Sequence, residues 1–135
     1  MKRVIKFRGQ RVDNGAWVYG YYLVNETNGE HKIHTKSGLS VGMSTYLVDP
    51  ETIGQFTGLC DSEGVEIYEG DIIRSFGSQG QEIKHLIGFD CKEAKFGCTC
   101  IPRHEFESMG GLRQQWIREF SKKVIGNTHT TQAEG

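Results

Sequence analysis

The 135-residue chain predicts an all-β protein, a small barrel or a sandwich, and three observations carry that prediction. Apolar residues alternate along short runs, the period of a half-buried strand. Glycine is frequent (18) and proline rare (2), the balance of a chain with many tight turns and little disorder. Only Leu112 to Phe120 carries a helical period, with Leu112, Trp116 and Phe120 at i, i+4 and i+8 and Ile117 beside them.

The opening KRVIKFRGQ alternates around Ile5 and Phe7 and reads as a strand. Asn14-Gly15 is the strongest short hairpin signal, because a type I′ turn needs φ > 0 at both central residues. The returning strand is AWVYGYYLV, which sets Trp17, Tyr19 and Tyr21 on one face and Val18, Gly20 and Tyr22 on the other. Three aromatics on one face are most economically a core. Gly20, in mid-strand, predicts a bulge or a close backbone approach.

Residues 25 to 44 are polar and Gly-rich, with one weak strand at HKIHT; His31 and His34 are expected to be solvated there. TYLVD is a short strand. Asp49 can cap a single helical turn with Pro50 at its first position, where a missing N–H costs nothing. Thr57 to Cys60 and Val65 to Tyr68 form a second hairpin around Asp61-Ser62-Glu63-Gly64, with Gly64 as its left-handed residue. Strands follow at IIRSF, around EIKHLIGF and KFGCTCI, and at Val124-Ile125. The polar tail from about Thr128 is expected to fray.

The length fits one domain, or one domain made of two small β subdomains, and buries roughly two-thirds of the unfolded surface. A net charge of -1 argues against a surface that binds phosphate throughout. The distribution is uneven. Residues 2 to 11 hold five bases (Lys2, Arg3, Lys6, Arg8 and Arg11) and no acid. Residues 49 to 71 hold seven acids (Asp49, Glu51, Asp61, Glu63, Glu66, Glu69 and Asp71) and no base. Solvated faces explain most of these side chains, and opposed blocks facing each other across an interface are the sharper alternative. No apolar run approaches the ~18 residues of a membrane span. With no secretory h-region visible, a cytoplasmic protein is expected, with Cys60, Cys91, Cys98 and Cys100 reduced.

The run VDPETIGQFTGLCDSEGVEIYEGDIIR closely resembles the signature of the YopX-like proteins of bacteriophages and prophages. Glu51 to Leu59, Gly64 and Glu66 to Ile72 fit that pattern. IKFRGQRVDNGAWVYGYYLV resembles the family's amino-terminal hairpin, and Val124 to Asn127 its closing strand. Residues 91 to 120 and the tail THTTQAEG depart from it. The resemblance implies an SH3-like β-barrel at residues 49–128, preceded by a small β subdomain at 1–48 and followed by a tail at 129–135. It implies a phage or prophage context in a bacterial host cell, and no established biochemical activity.

The chemistry is read residue by residue. Glu66 and Glu69 are three apart and so face opposite sides of a continuous strand, which does not make a catalytic carboxylate pair. Asp61 to Gly64 lacks the acid ladder and closing Glu of a calcium loop. Cys98-x-Cys100 with Cys91 lacks the C-x₂-C knuckles of a zinc site, and His85 or His104 would join only if the fold gathered them. No nucleophile elbow and no phosphate loop occurs. A non-enzymatic protein without cofactor or metal is therefore expected.

Two binding roles remain. A protein-interaction or assembly module, self-associating as a homo-oligomer or joined to an unidentified protein, is favoured, with Glu66, Glu69 and Asp71 as its acidic interface. Nucleic acid is the alternative, held by Lys2, Arg3, Lys6, Arg8 and Arg11 beside the aromatics of the second strand, with a further basic group at Arg113, Arg118, Lys122 and Lys123. Against it stands the acidic stretch, which would repel a phosphate backbone.

Overall fold

A computed structural model describes residues 4–36, 43–76, 79–92, 94–101, 117 and 123–128. Among them lie ten strands, β1 Phe7–Gln10, β2 Trp17–Asn25, β3 Glu30–Lys36, β4 Met43–Leu47, β5 Gly54–Cys60, β6 Glu66–Tyr68, β7 Asp71–Phe76, β8 Glu82–Asp90, β9 Lys95–Ile101 and β10 Lys123–Asn127. Hydrogen bonding orders them as β4-β3-β2-β1-β5-β6 in one sheet and β10-β7-β8-β9 in the other. β1 pairs with β2 and β5, β2 with β3, β3 with β4, β7 with β8 and β10, and β8 with β9, each antiparallel. Neither sheet closes on itself among the described residues, so the closed barrel expected for the carboxyl-terminal part is replaced there by an open sheet. Of the expected helix at 112–120 only Ile117 is described; it is helical and fully buried. The rest of that helix and the tail 129–135 lie outside the described residues.

The chain divides into two compact units, Met1–Phe56 and Thr57–Gly135. In the first, β1 and β2 are joined by a wider loop than Asn14-Gly15 predicts. Gly15 takes φ +73°, while Asn14 does not enter the left-handed region. The Gly15 N–H reaches back to the Arg11 carbonyl at 2.9 Å, and the Asn14 side-chain oxygen accepts the Ala16 N–H at 2.9 Å. One left-handed residue then suffices, and Gly supplies it. Gly20 makes the close approach its position suggested: an added Cβ would lie 2.1 Å from the His34 carbonyl oxygen.

The weak HKIHT signal becomes the seven-residue strand β3, because it pairs on both sides, with β2 and with β4. After β4 the chain returns to the loop that follows β1: Val12 donates to Leu47, Asp49 donates to Gln10, and Arg11 bridges Val48. Pro50–Thr52 is the expected single turn, here of 3-10 type. Asp49 caps it by accepting the Glu51 N–H at 3.0 Å. Thr52 is buried, and its hydroxyl oxygen accepts the Gln10 N–H at 2.8 Å, which ties the turn to β1. Ile33 and Val48 are buried in this unit, and the Phe7 and Tyr22 rings meet at 5.7 Å.

The second unit is built on a cluster of Ile67, Ile73, Ile87, Cys98 and Ile117, with Leu59 and Val124 packed against it. Gly64 has φ +87°, as the β5–β6 hairpin loop requires. The closing strand extends beyond Val124-Ile125 to Lys123–Asn127 and carries a bulge between Val124 and Gly126.

Candidate functional site

Directly opposed residues of an antiparallel pair share a face. The register sets Arg8 opposite Tyr19, Gln10 opposite Trp17, Tyr21 opposite His34, Leu23 opposite Lys32, and Lys32 opposite Leu47. One face of the first unit therefore carries Trp17, Tyr19, Tyr21 and Leu23 in a row along β2, with Leu47 two strands away. Tyr19 is 47% exposed and Tyr21 59%, and Leu23 and Leu47 are exposed as well. The expectation of an aromatic core on this face is overturned. Strand alternation defines two faces without saying which one turns inward, and here Ile33, Val48 and Phe7 lie on the other.

The amino-terminal cations are drawn onto rings of the same unit. Lys6 Nζ lies 5.0 Å from the Phe56 ring centroid and the Arg8 guanidinium 4.6 Å from Trp17. Arg8 is buried, 6% exposed. Arg11 stacks on Tyr46 at 4.2 Å and grips Asp13 with two bonds, Nε to Oδ1 at 2.9 Å and Nη2 to Oδ2 at 2.6 Å. Those bonds hold the Asp13 carboxyl below its ordinary range and raise Arg11 above its own. The structure thus sets Lys6, Arg8 and Arg11 each beside an aromatic ring of the first unit. Tyr46 and Phe56, which sequence reasoning missed, are two of those rings. Lys2, Arg3, Arg113, Arg118 and Lys122 lie outside the described residues, and Lys123 pairs with Glu63 at 2.9 Å.

The acidic stretch is largely structural. Asp61 is buried, and its carboxylate accepts three backbone N–H groups: Glu63 at 2.8 Å, Val65 at 2.9 Å and Val124 at 3.0 Å. Asp71, expected at an acidic interface, is 1% exposed and accepts the Tyr68 N–H at 2.8 Å, so its carboxylate faces inward. Glu66 and Glu69 are half-buried, and Glu66 accepts the Tyr68 hydroxyl at 3.1 Å. The hairpin reading accounts for the segment, although two of its acids are buried caps and not solvated charges.

The histidines of β3 are also built in. His31 bonds the Tyr22 hydroxyl, and His34 bonds Thr45 at 2.6 Å, so neither is the loop histidine expected. Cys98 is buried in the second core while Cys91 is exposed; the Cys100 side chain and His104 lie outside the described residues. Among the described residues no group of three or more His, Cys, Asp or Glu gathers to hold a metal. Likewise no helix is long and apolar enough to cross a membrane.

A family model described as YopX protein matches residues 6–132. No curated protein matches the chain. Among solved structures the chain is similar to the crystal structure of protein EF1440 from Enterococcus faecalis, at 21% identity over 95% of each chain with a TM-score of 0.58. At that identity the likeness is one of fold.

Proposed function

The chain belongs to the YopX family, and from that membership we propose a non-catalytic protein-interaction module, of phage or prophage type and acting in the bacterial cytoplasm, whose partner is a second copy of itself. The observation that carries this reading is the exposed row of Tyr19, Tyr21 and Leu23 on β2, with Leu47 on the same face. Contiguous exposed aromatic and aliphatic groups are what a protein partner covers. The charge distribution favours a second copy. Residues 1–56 hold seven bases against five acids, and residues 57–135 nine bases against twelve acids, so unlike parts of two copies attract. The SH3-like character implied by the family resemblance belongs to this proposal, with β7, β8 and β9 as its strands.

Single-stranded nucleic acid is the competing occupant, since exposed tyrosines on a sheet are stacking platforms for bases. Phosphates need cations beside them, and here Arg8 is buried against Trp17 while Lys32 is 3.6 Å from Glu30. The face is close to neutral, which favours protein. The deciding experiment is sedimentation velocity over about 1 to 100 micromolar, paired with an anisotropy titration of labelled single-stranded DNA and RNA at low salt. The expected result is concentration-dependent assembly that Tyr21→Ser weakens, with no nucleic-acid binding. A monomer throughout would overturn self-association, and tight, steeply salt-dependent anisotropy would transfer the face to nucleic acid.

A further inference from the structure

Among the described residues the two sheets end in four edge strands, β4, β6, β9 and β10. An open sheet edge is a ready template for another strand. Three of these four are closed from within the chain. The Tyr68 N–H of β6 is taken by the Asp71 carboxylate at 2.8 Å, and the Val124 N–H of β10 by Asp61 at 3.0 Å. In β9, Gly97, Cys98 and Thr99 are buried in succession, so the backbone there is covered.

β4 differs. The Val48 N–H bonds the His31 carbonyl at 3.0 Å, and from there the antiparallel register alternates. It turns the backbone groups of Tyr46 toward β3 and those of Thr45 and Leu47 away from it. The loop after β1 covers the far end, where Val12 donates to the Leu47 carbonyl at 3.1 Å. Thr45 is exposed, and nothing bonds its outward N–H and C=O among the described residues. The strand reads Met-Ser-Thr-Tyr-Leu, without the Lys or Pro that blunts an edge.

We propose that β4 of a second copy pairs here, antiparallel, about a two-fold axis between the two Thr45 residues. The proposal rests on the self-association reading and names the element through which two copies join. The strand is complementary to itself. Set antiparallel about Thr45, it places Thr45 against Thr45, Ser44 against Tyr46 and Met43 against Leu47. The two Thr45 residues exchange N–H···O=C bonds, and Leu47, 41% exposed, gains an apolar residue opposite. β4 carries no charge, and the described ion pairs beside it, Arg11 with Asp13 and Lys32 with Glu30, are closed within each copy. Like units can therefore meet at this edge without unpaired like charges. The axis is normal to the sheet, so the exposed rows of both copies lie on one side of the joined sheet. The Val12 bond stops the pairing at Leu47, so the contact is short and the dimer reversible. This contact joins like to like and is separate from the attraction between unlike parts.

The test is charge pairing across the axis, read by sedimentation velocity on the full-length protein up to about 500 micromolar at low salt. Thr45→Lys and Thr45→Glu each set like charges opposite one another, and each should weaken the dimer by about fivefold. An equimolar mixture of the two variants should restore it, because opposite charges then face each other. Thr45 is exposed, so both variants should keep the fold, which circular dichroism checks. In the unsubstituted protein the Thr45 amide should exchange hydrogen more slowly at high concentration than at low. Association that neither variant weakens, or a mixture no tighter than the separate variants, overturns the β4 pairing and leaves self-association standing. A monomer at every concentration overturns both. A Thr45 amide that exchanges equally fast at all concentrations overturns the pairing even where the variants do not fold.

Discussion

Asp61 shows how one side chain can hold distant parts of a small β unit. Its carboxylate closes the β5–β6 loop through the Glu63 and Val65 N–H groups and holds the start of β10 through Val124, sixty-three residues away. Asp61→Asn replaces one acceptor oxygen with an NH₂ group that opposes a backbone donor. The expected cost is about 2 kcal/mol in urea unfolding, and a change below about 0.5 kcal/mol would show that the cap is dispensable. Asp13 titrates in a definite direction. Arg11 lowers its folded pKa, so the pair's contribution is complete above the ordinary carboxylate range and is lost as pH falls through the lower, folded value. Both groups are solvent-exposed, so the effect is small. Asp13→Asn should lower the urea midpoint slightly at neutral pH and not at all in strong acid. A deficit that persists in acid would point to a packing role.

At the scale of elements, the β2–β3 pairing depends on one glycine. Gly20 stands where a Cβ would be 2.1 Å from the His34 carbonyl oxygen, and backbone on both sides prevents relief by a rotamer change. Gly20→Ala should therefore separate the two strands, at about 3 kcal/mol or more, whereas Tyr21→Ser next to it should cost little. Hydrogen exchange across Trp17–Asn25 would check both, and unchanged protection in Gly20→Ala would refute the close approach. Much of this was legible beforehand. The mid-strand glycine, the Asp49-Pro50 turn and the Gly64 loop follow from local chemistry. The Asn14-Gly15 turn differs from the dipeptide's usual form because the Asn14 side chain accepts the Ala16 N–H, which stabilises a wider loop.

At the scale of the molecule, the question is how copies of the chain meet. The opposed charge of residues 1–56 and 57–135 predicts that assembly weakens with salt, since surface charges are screened beyond about 10 Å at 0.1 M. Glu66→Lys combined with Glu69→Lys should weaken the association by roughly tenfold at low salt, read by sedimentation. Asp71, being buried, is excluded from that design, and its replacement would report on stability instead. Equal association by the charge-reversed variant at every salt concentration would leave the acidic stretch without an interface role. A contact between unlike parts closes as a two-fold dimer when each copy's first unit meets the other's second, and builds rings or filaments when it does not.

The sequence by itself determined the strands, most turns and the family, because alternation, turn chemistry and capping are local and act within a few residues. Only the tertiary structure decided which face of β2 is inward, since alternation is symmetric between two faces and the choice depends on what β3 and β4 supply. It likewise decided that Asp61 and Asp71 are buried caps, and that Lys6, Arg8 and Arg11 stack on rings. Lys6 and Arg11 find their rings, and Asp61 its Val124 donor, far along the chain, where no local pattern reaches. Arg8 and Asp71 meet nearer partners, Trp17 and the Tyr68 N–H, but their burial depends on the packing of the folded units.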